Sequence, residues 1–246
     1  MPIAHDFTSF HSMTRTIDFT QCLPNGSLKY TELCNVLQMA AGEHADSGGI
    51  SFSDMQKSDQ AWVLSRMRVE ISELPKWKDE ITISTWIISL ENSRSVRAME
   101  IHSGAKKLVG CETLWVVFNT KTRRPEPLIL EHGHFEKYPE RFAVKERVSK
   151  IDAVKNAEKT FDYNVVLSDI DIVNHVNNVK YLEWCLDDFP ADDQLNGKIK
   201  SLEMNFLKEL NLNDVVAIET ESIGNKSFYT VKNNAKPCFT AEIELL

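Results

Sequence analysis

The sequence predicts an α+β fold of two tandem units, each an antiparallel sheet wrapped around one long helix. Three observations indicate this. The short pattern K-Y-x-E-x-C occurs at residues 29–34 and again at 180–185, which is 151 residues further along. In both halves a strand-like segment precedes a helix-like segment, and several strand-like runs follow it. Residues typical of tight turns separate those runs.

The first half begins with a predicted strand over residues 14–19, followed by a helix and four more strands. The helix is indicated by apolar residues at helical spacing, namely Leu33, Val36, Leu37, Ala40 and Ala41. The later strands are predicted over residues 62–71, 81–90, 96–103 and 108–119. Trp62, Trp86 and Trp115 lie in these strands, and we expect them to belong to the core.

The second half repeats this order, with a strand over residues 161–167 and a helix over 179–189. Its later strands are predicted over residues 199–206, 215–223, 228–232 and 238–245. Between the halves, a charge-rich stretch over residues 136–157 indicates a linker. The predicted organisation is therefore a first unit at residues 1–135 and a second unit at residues 158–246.

The composition is that of a globular protein: 246 residues, of which 42% are hydrophobic and 26% charged. The chain lacks both an apolar run of the ~20 residues that span a membrane and a signal-like start, so we expect a cytoplasmic protein. The five cysteines are scattered, and no acidic or cysteine ligand pattern accompanies His132 and His134, so we expect no metal and no cofactor. The net charge of −8 argues against nucleic acid as a partner.

The richest chemistry lies just before the second predicted helix. Asp171 and His175, four residues apart, form a carboxylate and imidazole pair that can activate a water. Backbone N–H groups at the helix start, around Val176 and Asn177, can stabilise a developing oxyanion. Asn174 is a candidate for contact with substrate or water. A plain turn role for Asp171, a structural role for His175 and capping roles for the asparagines stay open.

The 151-residue offset indicates which half does the chemistry. It aligns Asp171 with Thr20 and His175 with Pro24. The first half then lacks both titratable groups, and we expect a single reaction centre in the second half.

Residues 168–181 resemble the active-site segment of the plant-type and bacterial acyl-acyl-carrier-protein thioesterases. Residues 61–70 and 204–210 are also similar to that family, and the resemblance covers about residues 14–246. It implies a double hotdog fold whose two units form a continuous sheet. It further implies hydrolysis of acyl-acyl-carrier-protein thioesters to free fatty acid, which terminates fatty-acid synthesis.

The resemblance also implies roles for single residues. By position, Asp171, His175 and Glu209 match the family's catalytic aspartate, histidine and glutamate. Val173 stands where the family usually has an asparagine, and Asn174 follows it. Leu210 stands where many members have a cysteine, which weakens any thiol mechanism. Whether Asp171 or Glu209 is the base stays open.

The partner that the resemblance implies is an acyl carrier protein, which is itself acidic. An acidic chain would need a local basic patch to bind it, and Lys121, Arg123 and Arg124 form the densest basic cluster. A solvated turn is the alternative for that cluster. The first unit would form the acyl-chain pocket, with small residues beside its helix leaving room. A homodimer is compatible with the sequence.

Three other functions stay open. An acyl-CoA thioesterase would share the chemistry and differ in its carrier. A non-catalytic acyl-binding protein would have an inactive site, although the joint presence of Asp171, His175 and Glu209 argues against it. A hotdog dehydratase would use a different acid–base arrangement.

Overall fold

The computed structural model describes residues 3–246 and divides the chain into two units. The first comprises the described residues up to Ser65 together with Ser72–Arg147, and the second comprises Arg66–Ile71 and Val148–Leu246. The predicted first unit begins at Met1, which with Pro2 lies outside the described residues.

The first unit is an antiparallel sheet with one long helix. Its elements are β1 (Phe10–Thr16), α1 (Tyr30–Ser47), α2 (Phe52–Gln56), β2 (Gln60–Ile71), β3 (Glu80–Glu91), β4 (Arg94–Ser103), β5 (Lys106–Asn119) and β6 (Arg124–Pro125). Strands β1, β3, β4 and β5 pair antiparallel in that order, and β6 pairs with β5. Only the first half of β2 belongs to this unit.

Helix α1 packs its apolar face on β1 and β3. The predicted apolar positions Leu33, Val36, Leu37, Ala40 and Ala41 are all buried, as helical spacing requires of one face. The helix ends at Gly48, whose N–H donates to the His44 carbonyl at 3.1 Å. Within residues 3–246, no helix combines the length and the apolar character needed to cross a membrane.

The second unit repeats the arrangement. Its elements are the second half of β2, then β7 (Lys159–Asn164), α3 (Asn178–Asp188), α4 (Ala191–Leu195), β8 (Ile199–Phe206), β9 (Val215–Ile223), β10 (Lys226–Asn233) and β11 (Lys236–Leu245). The strand order is β2-β8-β11-β10-β9-β7, antiparallel throughout. The predicted bounds of β8 and β9 are those of the structure. Two tandem antiparallel units with a long helix confirm the predicted fold class.

The structure corrects the start of each unit. The first strand lies at Phe10–Thr16 rather than 14–19, and a 3₁₀ turn occupies Phe19–Gln21. In the second unit β7 ends at Asn164, and Leu167–Asp169 form the corresponding 3₁₀ turn. Each turn begins with one large apolar residue, Phe19 or Leu167, and periodicity alone does not separate that residue from the end of a strand. The short helices α2 and α4 were not predicted.

The predicted linker is irregular in structure, and hydrogen bonds hold it against neighbouring strands at several points. The Trp86 indole donates to the Arg141 carbonyl at 3.0 Å, and Lys107 donates to the Ala143 carbonyl at 2.7 Å. Further along, the Ile151 N–H donates to Asn205 Oδ1 at 2.9 Å. The segment up to Arg147 therefore packs within the first unit, and the rest packs within the second.

Replacing Gly110 by alanine should destabilise the protein, because Gly110 on β5 lies directly beneath this segment. A Cβ there would lie 1.9 Å from the Ala143 carbonyl oxygen. Because that oxygen belongs to the backbone, the clash can be relieved only by shifting the backbone. We expect Gly110→Ala to lower the free energy of unfolding by about 1–3 kcal/mol or more in urea denaturation. Gly133→Ala is the matched control, since nothing lies within 4 Å of its added Cβ. Equal stability of the two variants would contradict this packing.

Candidate active site

The residues predicted to be catalytic lie on two loops of the second unit. The first, the catalytic loop, covers residues 170–176 between β7 and α3, and a β-bridge between Ile170 and Val176 closes it. Inside it the Asp171 N–H donates to the His175 carbonyl at 2.9 Å, and the Asn174 N–H donates to the Asp171 carbonyl at 3.0 Å. The loop is therefore a tight, internally bonded turn that leads into α3.

The first unit contains the same loop without its chemistry. There the Leu23 N–H donates to the Ser27 carbonyl at 2.7 Å, and the Gly26 N–H donates to the Leu23 carbonyl at 2.8 Å. A β-bridge again closes the ends of the loop. Every equivalent position is 148 residues apart, so Leu23 corresponds to Asp171 and Ser27 corresponds to His175.

The predicted register of the repeat was therefore wrong by three residues. Asp171 does not correspond to Thr20, nor His175 to Pro24. A shift of three residues is close to one helical turn, so the K-Y-x-E-x-C match still superposes buried faces of the two helices. Under either register, the first unit lacks both titratable groups.

The backbone conformation at Asn174 restricts which residue types can occupy that position. Its φ is +64°, and the equivalent Gly26 has a φ of +83°. Asparagine tolerates this left-handed conformation better than other residues with a side chain. Asn174 is therefore explained by the turn, and its contact with substrate or water stays a prediction.

Asp171 both shapes the loop and offers an oxygen to it. Its Oδ1 accepts hydrogen bonds from the N–H groups of Val173 at 3.0 Å and His175 at 3.4 Å. Within residues 3–246 no donor is found for its Oδ2. The turn role that the sequence left open is thus real, and the second oxygen is in a position to hold a water.

His175 faces Glu209, which lies on the second loop, between β8 and β9. The distance between His175 Nε2 and Glu209 Oε2 is 3.5 Å, and the side chains are 31% and 33% exposed. Glu209 lies three residues beyond Phe206, the last residue of β8. A carboxylate in this position orients an imidazole and stabilises its protonated form.

The amides predicted as oxyanion donors are already bonded. The Val176 N–H donates to the Leu210 carbonyl at 2.9 Å, and the Asn177 N–H donates to the Asp169 carbonyl at 2.8 Å. Asn177 also caps α3, since its Oδ1 accepts from the Val179 N–H at 3.1 Å. The structure thus corrects the oxyanion prediction for these two residues: their amides fix the catalytic loop to its neighbours.

Sequence reasoning assigned no role to Asp169, which supports this loop. Its side chain is 2% exposed, and its Oδ2 accepts from the Tyr163 hydroxyl at 3.0 Å and the Val166 N–H at 2.9 Å. Burial, followed by the hydrogen bond to Asp169, raises the pKa of Tyr163. The sequence carries no clear signal for this role, because Asp169 lies between Ser168 and Ile170 in a stretch that mixes polar and apolar residues.

The thiols do not contribute a nucleophile to this arrangement. Leu210 is fully buried and has no thiol. Cys34 and Cys185 are buried as predicted, and burial raises the pKa of both thiols, that of Cys34 to about 12. A thiol with so high a pKa stays protonated and unreactive at neutral pH.

A cavity of ≈ 320 Å³ lies within the first unit. Small residues of α1 form part of its wall, as expected beside that helix, although Ala41 contributes rather than Ala40. The lining residues are Gln38, Ala41, Gly42, Ala45, Asp46, Ile50, Phe52, Trp62, Ile87, Ser95, Arg97 and Trp115. Two of the three tryptophans expected in the core, Trp62 and Trp115, therefore line a cavity, whereas Trp86 is fully buried.

His44 and Arg97 form a buried polar pair beside this cavity. Arg97 Nη1 lies 2.7 Å from His44 Nδ1, and His44 Nε2 lies 3.1 Å from the Thr8 carbonyl oxygen. Burial, and then the charge of Arg97, lower the pKa of His44 to about 3. A neutral imidazole that donates from Nε2 to Thr8 and accepts at Nδ1 from Arg97 satisfies both contacts.

The basic cluster lies on an exposed turn between β5 and β6. Lys121, Arg123 and Arg124 are all exposed, and Lys121 pairs with Asp59 at 2.8 Å. The Arg123 guanidinium lies 5.3 Å from the Phe118 ring centre. The structure brings these three cations together, and their contact with a carrier protein stays a prediction.

Comparison with known proteins identifies the family. The chain matches the acyl-ACP thioesterase N-terminal domain over residues 9–132 and the C-terminal domain of the same family over residues 152–239. The chain belongs to the acyl-ACP thioesterase family. These two matches together cover most of the chain, and the second one contains the catalytic loop and Glu209.

Individual relatives agree with this membership. A palmitoyl-acyl carrier protein thioesterase of Arabidopsis thaliana is 29% identical, with 78% of this chain and 51% of the relative covered. A dodecanoyl-[acyl-carrier-protein] hydrolase of Cinnamomum camphora is 30% identical, with 83% and 57% covered. The chain thus spans about half the length of these curated relatives.

Solved structures share the fold. The acyl-ACP thioesterase structure from Bacteroides thetaiotaomicron superposes with a TM-score of 0.86 at 24% identity, covering 97% of this chain and 98% of that chain. The 12:0-ACP thioesterase of Umbellularia californica gives a TM-score of 0.81 at 22% identity, with the same coverage. These likenesses support the hotdog architecture of both units.

Removing the Asp169 carboxylate should destabilise the second unit. We expect Asp169→Ala to lower the free energy of unfolding by about 1–3 kcal/mol, because the half-buried Tyr163 hydroxyl and the Val166 amide lose their acceptor. The measurement is urea denaturation. Asp171→Asn is the comparison, since an amide oxygen still accepts the two loop bonds and should cost little stability. A larger loss for Asp171→Asn than for Asp169→Ala would contradict these roles.

His44 should make stability depend on pH. The pKa of His44 is about 3 in the folded protein, whereas its ordinary value is 6.5. Between pH 3 and pH 6.5 the unfolded chain therefore binds more protons than the folded chain. Stability should therefore fall as the pH decreases below 6.5, with a slope of up to ~1.4 kcal/mol per pH unit from this group. Urea denaturation of His44→Gln should show a shallower slope. His5→Gln, at an exposed position, should leave the slope unchanged; equal slopes in all three proteins would refute the assignment.

Proposed function

We propose that this chain hydrolyses acyl-acyl-carrier-protein thioesters to free fatty acid and holo carrier protein, and so terminates fatty-acid synthesis. The observation that carries the proposal is the convergence of Asp171, His175 and Glu209 on two bonded loops of one unit. Membership of the family supports it. Because the chain spans about half of its curated relatives' length, the activity itself stays a proposal.

The proposed mechanism uses these three groups without a cofactor. A water held at the free oxygen of Asp171 attacks the thioester carbonyl carbon and gives up a proton to the site. His175 receives that proton, and the Glu209 carboxylate, 3.5 Å from Nε2, stabilises the imidazolium. The C–S bond then breaks, and the thiolate takes the proton as it leaves. Asp171 or Glu209 takes the proton from the water first and passes it to His175, and which of the two carboxylates does so stays a prediction.

The remaining assignments follow the unit structure. We propose that residues 1–135 hold the acyl chain, residues 136–157 link the units and residues 158–246 carry the chemistry. The ≈ 320 Å³ cavity of the first unit, with its mainly apolar wall, supports the first of these roles. We further propose that Lys121, Arg123 and Arg124 attract the acidic carrier. A cytoplasmic location and a homodimer stay predictions.

The test is thiol release from acyl-carrier-protein and acyl-CoA thioesters by the wild type and single variants. Asp171→Asn, His175→Ala and Glu209→Gln should each lower kcat by about 10²-fold or more, because each removes a group that orients or accepts the proton. Ser27→Ala alters the first-unit position equivalent to His175 and should leave the rate unchanged. Circular dichroism checks that the variants fold.

The outcomes separate the competing functions. Turnover of carrier-protein thioesters that the three substitutions abolish supports the proposal. Turnover of CoA thioesters alone would keep the mechanism and refute the partner. Binding of acyl chains without any turnover would refute the enzymatic function in favour of a binding protein. Loss of activity in Ser27→Ala would contradict the assignment of chemistry to the second unit.

A further inference from the structure

Arg97 presents a charged group to a cavity whose other walls are mainly apolar. It lies in the middle of β4 and is 5% exposed. Its Nη1 contacts His44 Nδ1 at 2.7 Å and donates to Thr85 Oγ1 at 3.1 Å. For its Nε and Nη2 donors, no protein acceptor is found within residues 3–246. The guanidinium is therefore only partly satisfied by the protein, and it belongs to the cavity lining.

Among residues 3–246, no acidic side chain forms an ion pair that neutralises the Arg97 charge. His44 is neutral and acts as a hydrogen-bond acceptor, so it holds the guanidinium in place without balancing it. Asp46 is the acidic residue of the lining, but within the described residues it forms no ion pair with Arg97. Burial lowers the pKa of Arg97 only to about 10, so the side chain stays charged at neutral pH.

A plain hydrocarbon chain is a poor occupant for such a cavity. Trp62 and Trp115 offer apolar surface, but methylene groups packed against Arg97 would displace water from its free N–H donors and replace none of those bonds. An unsatisfied buried donor is costly, and more so when it is charged. An occupant with an acceptor oxygen at this point would instead complete the hydrogen bonding of the guanidinium.

We propose that the first-unit cavity selects acyl chains that carry an oxygen function, hydroxyl, oxo or carboxyl, which accepts hydrogen bonds from Arg97. This inference rests on the proposed thioester hydrolysis and names the substrate class for it. Arg97 is then a specificity-determining residue, His44 and Thr85 position it, and the two tryptophans contact the rest of the chain.

The experiment compares kcat/KM for pairs of thioesters on one carrier, matched in chain length. Each pair has an unmodified chain and a chain with one hydroxyl, oxo or terminal carboxyl group. We expect the wild type to prefer at least one oxygenated chain by about 10- to 100-fold, the contribution of a hydrogen bond to a charged group. The three modified chains separate a neutral oxygen from a carboxylate as the preferred acceptor.

Variants of Arg97 test whether this residue is the cause. Arg97→Met keeps an unbranched, flexible side chain and removes the charge and the donors, so the preference should disappear or reverse in favour of the unmodified chain. Arg97→Lys keeps the charge and should retain part of the preference. Arg94→Met is the matched control, because Arg94 lies exposed at the start of the same strand and should leave the ratio unchanged.

The ratio within each variant is independent of any general loss of active protein. A wild type that hydrolyses oxygenated and unmodified chains equally, or an unchanged ratio in Arg97→Met, would overturn the inference. If no thioester is turned over, the proposed function fails, and tryptophan fluorescence then tests the cavity directly with the free hydroxy, oxo and dicarboxylic acids. Tighter binding of these acids than of the unmodified acid, lost in Arg97→Met, would support the cavity's selectivity; equal binding would refute it.

Discussion

The buried ion pair between Arg68 and Glu203 is the interaction on which the second unit depends. These residues are direct cross-strand partners of β2 and β8, their side chains meet at 2.8 Å, and both are less than 5% exposed. The other oxygen of Glu203 accepts from the Ser149 hydroxyl at 2.9 Å, where the chain returns to this unit. A buried ion pair adds little stability compared with a well-packed apolar pair. Any register that separates the two charges would, however, leave each of them buried without a partner. The pair therefore fixes the register of β2 and β8 more than it adds stability.

A fixed β8 matters because it controls where the loop that follows it begins. Leu210 in that loop accepts the Val176 amide, and Glu209 beside it faces His175. The pairing of β2 with β8 therefore sets the starting point of the segment that carries Glu209. The imidazole and the carboxylate meet because two anchored loops are bonded to each other, and their contact does not rely on long flexible side chains.

Much of the fold was predictable because its signals are local. Strand-like runs bounded by turn residues predicted the limits of β8 and β9, and helical spacing predicted α1. The register of the repeat was not predictable, since the helical period cannot distinguish a shift of three residues from none. Asp171 and His175 could be named from their motif, but the bonds of Asp169 and the pairing of Arg97 with His44 join residues that are distant in sequence or hidden by burial. Occupation of the Val176 and Asn177 amides likewise depends on where other loops return.

The duplicated loop explains how one unit can carry chemistry while its twin does not. Both copies need a left-handed residue at the same place, supplied by Gly26 in one and Asn174 in the other. Both also have a side chain that accepts a hydrogen bond from the N–H of the sixth loop residue. Asn25 accepts from Ser27 in the first unit, and Asp171 accepts from His175 in the second. In the second copy this acceptor is Asp171, at a different loop position. Its Oδ1 accepts the loop hydrogen bonds, so its Oδ2 is not used by the loop. A structural requirement of the loop is thereby met in the second unit by a carboxylate that can also hold a water, whereas the first unit meets it with the neutral amide of Asn25.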